Sequence, residues 1–159
     1  YRVLDRTSVM VLDLASAYEP ALAASKGELS QPGVDEWLTL SACLRIEPPE
    51  RQHARRAILH AIPVETRPYV LRNAGRLVGC ALAVRQADQL GLFDVFIAPT
   101  HRRQGWGTLL ASRILRQARH DGVRWAYLQV TEANEAAQHL YRNLEFEPLY
   151  RYWYRIQST

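Results

Sequence analysis

One stretch limits the fold more than any other. Leu90 to Ile97 leans to strand, Ala98-Pro99 ends that run, and a glycine-bearing turn opens a helix over Gly105 to His120. A second strand signal follows at Trp125 to Val130. The helix has sixteen residues, so it is ~24 Å long at 1.5 Å per residue. Trp106, Leu110, Ile114 and Ala118 form its apolar face, with Arg113, Arg116 and Arg119 expected to look outward. A strand–helix–strand crossover of this kind belongs to a sheet with helices packed on its faces.

The other elements extend that sheet. Thr7 to Leu14 is mostly apolar and β-leaning, a buried strand. Tyr18 to Gln31 is small and polar, with Pro20, Lys26-Gly27 and Ser30, and reads as a long loop, a kind of segment often functional or mobile. Two helices follow. Gly33 to Arg45 has Val34, Trp37, Leu38, Ala42 and Cys43 on its apolar side. Glu50 to Ile62, after Pro49, carries Ala54, Ala57, Ile58 and Ile62 on one face and is stopped by Pro63. Tyr69 to Arg72 and Leu77 to Val84 form a hairpin about Asn73-Ala74-Gly75. Gly122 caps the long helix, a short helix covers Asn134 to Asn143, and an aromatic strand ends the chain around Leu149 to Ile156. The order β, α, α, three β, α, β, α, β predicts an α/β fold with a mixed sheet.

Composition agrees. With 159 residues, 48% apolar and 23% charged, the chain can bury a core as one domain over residues 1–159. No apolar run reaches the ~18 residues of a membrane span, and the first residues lack the apolar centre of a signal peptide. The chain starts at Tyr1 without Met, which suggests a piece of a longer one. Cys43 and Cys80 lack ligand spacing; no metal site is expected, and two buried thiols fit a reducing, cytoplasmic setting. The net charge of +4 comes from nineteen Arg and one Lys spread along the chain, which does not favour a nucleic-acid partner.

The chemistry gathers in the turn before the long helix. Free N–H groups and the dipole at a helix start attract anions. Gly105 and Gly107 let backbone approach a ligand, and Arg102 and Arg103 add charge, so the turn could cradle a pyrophosphate. It lacks the Gly-Lys-Ser/Thr of a triphosphate loop and the third Gly of a dinucleotide fingerprint. Arg102-Arg103-Gln104-Gly105-Trp106-Gly107 resembles the Arg/Gln-x-x-Gly-x-Gly/Ala motif of the GCN5-related N-acetyltransferases. Asn134-Glu135-Ala136-Ala137-Gln138-His139-Leu140-Tyr141, thirty-two residues after Arg102, resembles that family's Asn-x-x-Ala-x-x-Leu-Tyr. The likeness is strong from Leu77 to Tyr154.

That resemblance implies a mostly antiparallel sheet with a splayed strand pair, and acetyl-CoA as acetyl donor to a primary amine that attacks directly. The backbone from Arg103 through Gln104, Gly105 and Trp106 to Gly107, with the helix start at Thr108, would hold the pyrophosphate, and Arg102 adds charge. The backbone of Phe96 and Ile97 would pair with the pantetheine arm. Asn134, with Ala137 in the same motif, would meet that arm from the gap between the strands ending at Ile97 and Val130. Tyr141 stands where the family commonly places a general acid. Asp94 is a candidate base, with a salt-bridged structural role and water-relayed deprotonation as open alternatives, and Glu132 and His101 are weaker candidates. Glu145-Phe146 replaces the family's Gly-Phe, so Glu145 is expected to be strained in a left-handed conformation unless Asn143 caps the helix instead.

For the acceptor, the resemblance points to the first two helices and the last strands: Trp37, Tyr152 and Tyr154, or ordinary sheet packing of those aromatics. The acceptor, a small-molecule or peptide amine, is not selected. A homodimer through the last strand is compatible with the sequence. The ending Tyr-Arg-Tyr-Trp-Tyr-Arg also resembles the C-terminal domain of two-domain bacterial members, in which a segment like residues 1–14 closes an upstream domain. A non-catalytic acyl-CoA-binding module is the alternative function.

Overall fold

A computed structural model describes residues 2–16 and 26–156, with side chains over 5–16 and 26–155. Part of the expected Tyr18 to Gln31 loop therefore lies outside the described residues. The strands are β1 (Arg2–Asp13), β2 (Glu28–Ser30), β3 (Glu65–Asn73), β4 (Arg76–Gln86), β5 (Gln89–Ile97), β6 (Trp125–Thr131) and β7 (Glu147–Ile156). The helices are α1 (Val34–Arg45), α2 (Pro49–Ala61), α3 (Trp106–His120) and α4 (Glu135–Asn143). They form one seven-stranded sheet in the order β2-β3-β4-β5-β6-β1-β7.

Local sequence explains most of the turns. The β3–β4 hairpin closes at Ala74-Gly75, both at positive φ (47° and 76°), between the paired residues Asn73 and Arg76. Two left-handed residues match the twist of the flanking strands. β5 and β6, joined by α3, are the parallel pair. Their pairing covers only Gln89 to Leu92 against Trp125 to Leu128. Beyond Leu92 the two strands part and leave a wedge. β1 lies between β6 and β7, antiparallel to both, so the first strand fills the interior of the sheet beside the last. Element order alone did not place it there.

Each face has its own core. Trp106, Leu110, Ile114 and Ala118 of α3 pack with Met10, Leu12, Leu90, Leu128 and Tyr141 on one side. On the other, Trp37 and Leu38 of α1 and Leu59 of α2 cover Val70, Cys80 and Leu82. Three expectations need correction. Cys43 is exposed and only Cys80 is buried. On α2, Ala54, Ala57 and Ile58 face solvent, whereas Leu59 is buried. Arg55 turns inward instead, because its guanidinium lies 5.2 Å from the Trp37 ring centre and pairs with Glu47 and Asp94. Arg113 also turns from solvent, donating to the carbonyls of Lys26 and Gly27. No described helix is long and apolar enough to cross a membrane.

Candidate active site

The connection from β5 to α3 is built to leave donors free. Ala98 N–H bonds to Val78 O at 2.8 Å, tying the strand end to β4. A single 3-10 turn follows at Pro99–His101. Arg103 (φ 55°) and Gly105 (φ 80°) are then both left-handed, and Gly105 caps α3. A Cβ on Gly105 would meet nothing within 4 Å, so its φ is what calls for glycine. None of the backbone N–H groups from Arg103 to Thr108 finds an acceptor among the described residues; the first α3-type bond comes from Leu109 N–H to Gly105 O at 3.0 Å. These donors, at the positive end of a fifteen-residue helix, form a nest for an anion.

The side chains of the turn brace it. Gln104 Nε2 donates to Thr100 O at 3.1 Å, and Arg102 Nε to Ile97 O at 3.2 Å. Arg102 lies 5.4 Å from the centre of Phe96, whose other neighbour is Arg45 at 4.8 Å. Thr108 is exposed on the first turn of α3, whereas the Trp106 side chain is buried. Gly107 serves packing rather than ligand approach, because a Cβ there would stand 2.8 Å from Leu140 Cδ1. Glycine at this point lets α3 meet α4.

Across the wedge, α4 begins at Asn134, whose Oδ1 accepts from Ala137 N–H at 3.1 Å. This cap leaves the Nδ2 donors free for a ligand. Tyr141, about two turns into α4, is 7% exposed, and its hydroxyl makes no hydrogen bond among the described residues. Burial pushes its pKa up to about 12, so the phenol keeps its proton at neutral pH. Glu145 takes the left-handed conformation (φ 67°). Its N–H bonds to Arg142 O at 2.9 Å and that of Phe146 to Tyr141 O at 3.0 Å. These bonds close α4 without help from Asn143, and Phe146 packs edge-on against Tyr141 with ring centres 5.7 Å apart.

The strand bulge behaves differently from a free acid–base site. Asp94 (φ 51°) and Val95 have no partners on β4, where Phe93 pairs with Leu82 and Phe96 with Cys80. The Asp94 carboxylate accepts from Arg55 Nη2 at 2.9 Å and lies 3.7 Å from Arg45, and its carbonyl accepts from Arg45 Nη2 at 2.8 Å. This is the geometry of the ion-paired alternative. Glu132 pairs with Arg151 at 3.2 Å, and His101 Nδ1 contacts Thr100 Oγ1 at 3.0 Å.

Among the residues expected to border an acceptor, Trp37 needs correction. It is fully buried and donates Nε1–H to Tyr69 O at 3.0 Å, so it has no surface to offer a substrate. Tyr152 donates to Gln129 at 2.7 Å and stands edge-on to the exposed Tyr154 at 5.7 Å. Arg45, Glu47, Arg55 and Lys26 joined the site unannounced. The first three come together only through tertiary contacts, whereas Lys26 had a sequence signal in being the chain's one lysine. Among the described residues, no group of three or more His, Cys, Asp or Glu could hold a metal ion.

Residues 34–146 match the acetyltransferase (GNAT) family. The chain is 32% identical over 71 residues to the [Ribosomal protein bS18]-alanine N-acetyltransferase of Haemophilus influenzae, covering 45% of this chain and 48% of that protein. It is 30% identical over 116 residues to the mycothiol acetyltransferase of Nocardiopsis dassonvillei, covering 70% and 35%. These matches span about half or less of the curated relatives. A GCN5-related N-acetyltransferase structure from Sphaerobacter thermophilus superposes with a TM-score of 0.73 at 23% identity, over 96% of this chain and 51% of that one.

Proposed function

The chain belongs to the GNAT acetyltransferase family, and on that premise we propose that it moves an acetyl group from acetyl-CoA to a primary amine by direct attack. One observation carries this reading: the row of unpartnered N–H groups from Arg103 to Thr108, placed where β5 and β6 part. The donor set suits a pyrophosphate, and the open space at Gly105 leaves room for one. Arg102 adds charge and releases the Ile97 carbonyl when the pantetheine pairs with Phe96 and Ile97. Asn134 meets the same arm through Nδ2.

Acetyl-CoA supplies an acyl group activated as a thioester. The residues do the rest. The bulge at Asp94-Val95 offers backbone N–H to the carbonyl oxygen. Tyr141 holds its proton through burial and gives it to the departing thiolate. With Asp94 held by Arg55, deprotonation of the incoming ammonium runs through water, and Asp94 orders the bulge through its arginines. Tyr152 and Tyr154 border the acceptor side. The acceptor is an amine on a small molecule or a peptide; the names of the relatives carry a ribosomal-protein alanine and mycothiol.

Thiol release from acetyl-CoA across a panel of small amines and N-terminal peptides tests the reading. Amine-dependent release supports it. CoA binding without release from any amine would leave the acyl-CoA-binding module in its place.

A further inference from the structure

The chain carries nineteen arginines and one lysine, Lys26, and that lysine stands behind the anion nest. Its Nζ donates to Gln104 O at 2.8 Å and lies 4.2 Å from the centre of the Trp106 ring. Its backbone is clamped from below. Arg113 donates Nη1 to Gly27 O at 2.8 Å and Nη2 to Lys26 O at 2.9 Å. Gly27 (φ +72°) fits so closely that a Cβ would come within 2.9 Å of Trp106 and 3.0 Å of Arg72 O. Helix α3 thus presents the nest at its start and, two turns further on, fixes the strap that carries the lysine.

A trans peptide is planar, with C=O and N–H pointing in opposite directions. Holding the Gln104 carbonyl against Lys26 therefore turns the Gly105 N–H to the other side of the loop, where no described acceptor takes it. We propose that Lys26 is a positioning residue of the cofactor site, locking the Gln104–Gly105 peptide so that its N–H, and not its carbonyl, faces the bound phosphates. The inference rests on the reading of residues 103–108 as the pyrophosphate site. The lock matters because this peptide plane joins a loop with two left-handed residues, Arg103 and Gly105. Unheld, it can turn over and set a carbonyl dipole against the anion. The cation rests on the Trp106 ring while it aims one N–H at the carbonyl.

The test compares wild type, Lys26→Met and Lys26→Arg by calorimetric titration with CoA and by kinetics with acetyl-CoA and S-acetylpantetheine. Loss of a charge-assisted hydrogen bond behind the nest should weaken CoA binding by about tenfold. The KM for acetyl-CoA should rise in step, with Lys26→Arg restoring most of the loss. S-acetylpantetheine, which has no phosphates, should lose far less. Unchanged CoA affinity in Lys26→Met, or an equal loss with S-acetylpantetheine, would overturn the inference. Wild type that binds no CoA would overturn the cofactor reading with it. In wild type, CoA should also slow reductive methylation of this one lysine side chain, mapped by mass spectrometry; an unchanged rate counts against the lock.

Discussion

The two sides of the wedge are made differently. On the side proposed for the cofactor, the groups are backbone N–H donors from Arg103 to Thr108 and one capping side chain, Asn134. On the side proposed for the acceptor, they are charged and aromatic side chains brought from separate elements: Arg45 of α1, Glu47 of the α1–α2 connection, Arg55 of α2, Asp94 of β5 and the tyrosines of β7. A nest of backbone donors depends on local conformation, so a short run of residues specifies it. A cluster of side chains depends on how helices settle on the sheet, and the same run of sequence cannot express it. Changes on the first side should be read in cofactor binding and turnover, and changes on the second largely in stability.

Tyr141→Phe puts the sharpest edge on that contrast. It should lower kcat by about 10²-fold if the phenol protonates the thiolate, with CoA affinity nearly unchanged; steady-state kinetics beside calorimetry would show it. The same residue carries a pH signature. Its pKa is raised from 10.0 to about 12 in the fold. The stability it contributes is therefore complete below about pH 10 and is lost as pH rises through about 12. Chemical denaturation across that window should find this loss in wild type and not in Tyr141→Phe.

Arg55→Met comes next. It strips Asp94 and Glu47 of their closest partner and should lower stability by about 2 kcal/mol, as expected for hydrogen bonds to charged groups that are only partly exposed. A urea midpoint unmoved by this change would mean that the acceptor-side charges are merely solvated. Smaller still are the two strained helix ends. Glu145 (φ 67°) closes α4 and Ile46 (φ 53°) closes α1. Glu145→Gly and Ile46→Gly should each stabilise by about 1 kcal/mol in thermal or urea unfolding. Destabilisation at Glu145 would show that its side-chain contacts outweigh the backbone strain.

Much of the fold was legible because periodicity and punctuation are local. The apolar stripe of α3, the Ala74-Gly75 turn and the stop at Pro63 each follow from neighbouring residues. The strain at Glu145 was legible for the same reason, since an α4 closed in this way demands a left-handed residue. The position of β1 between β6 and β7 was not, because strand pairing joins distant segments. On α2 the apolar pattern chose Ala54, Ala57 and Ile58, yet an arginine with two carboxylates and an indole face to rest on took the inward position. Trp37 became a candidate because the resemblance places the acceptor pocket at the first two helices; its indole N–H instead found a buried carbonyl at Tyr69. Sequence named Trp37, Tyr152 and Tyr154 but not which of them would remain at the surface.

Calorimetric titration with acetyl-CoA, free CoA and ATP addresses the cofactor nest most directly. Stoichiometric micromolar binding of both CoA species, with none for ATP, is the result expected of unpartnered donors that end in a pantetheine wedge. No binding of either CoA species, or equal binding of ATP, would contradict the nest as a CoA site and take the proposed acetyl transfer with it.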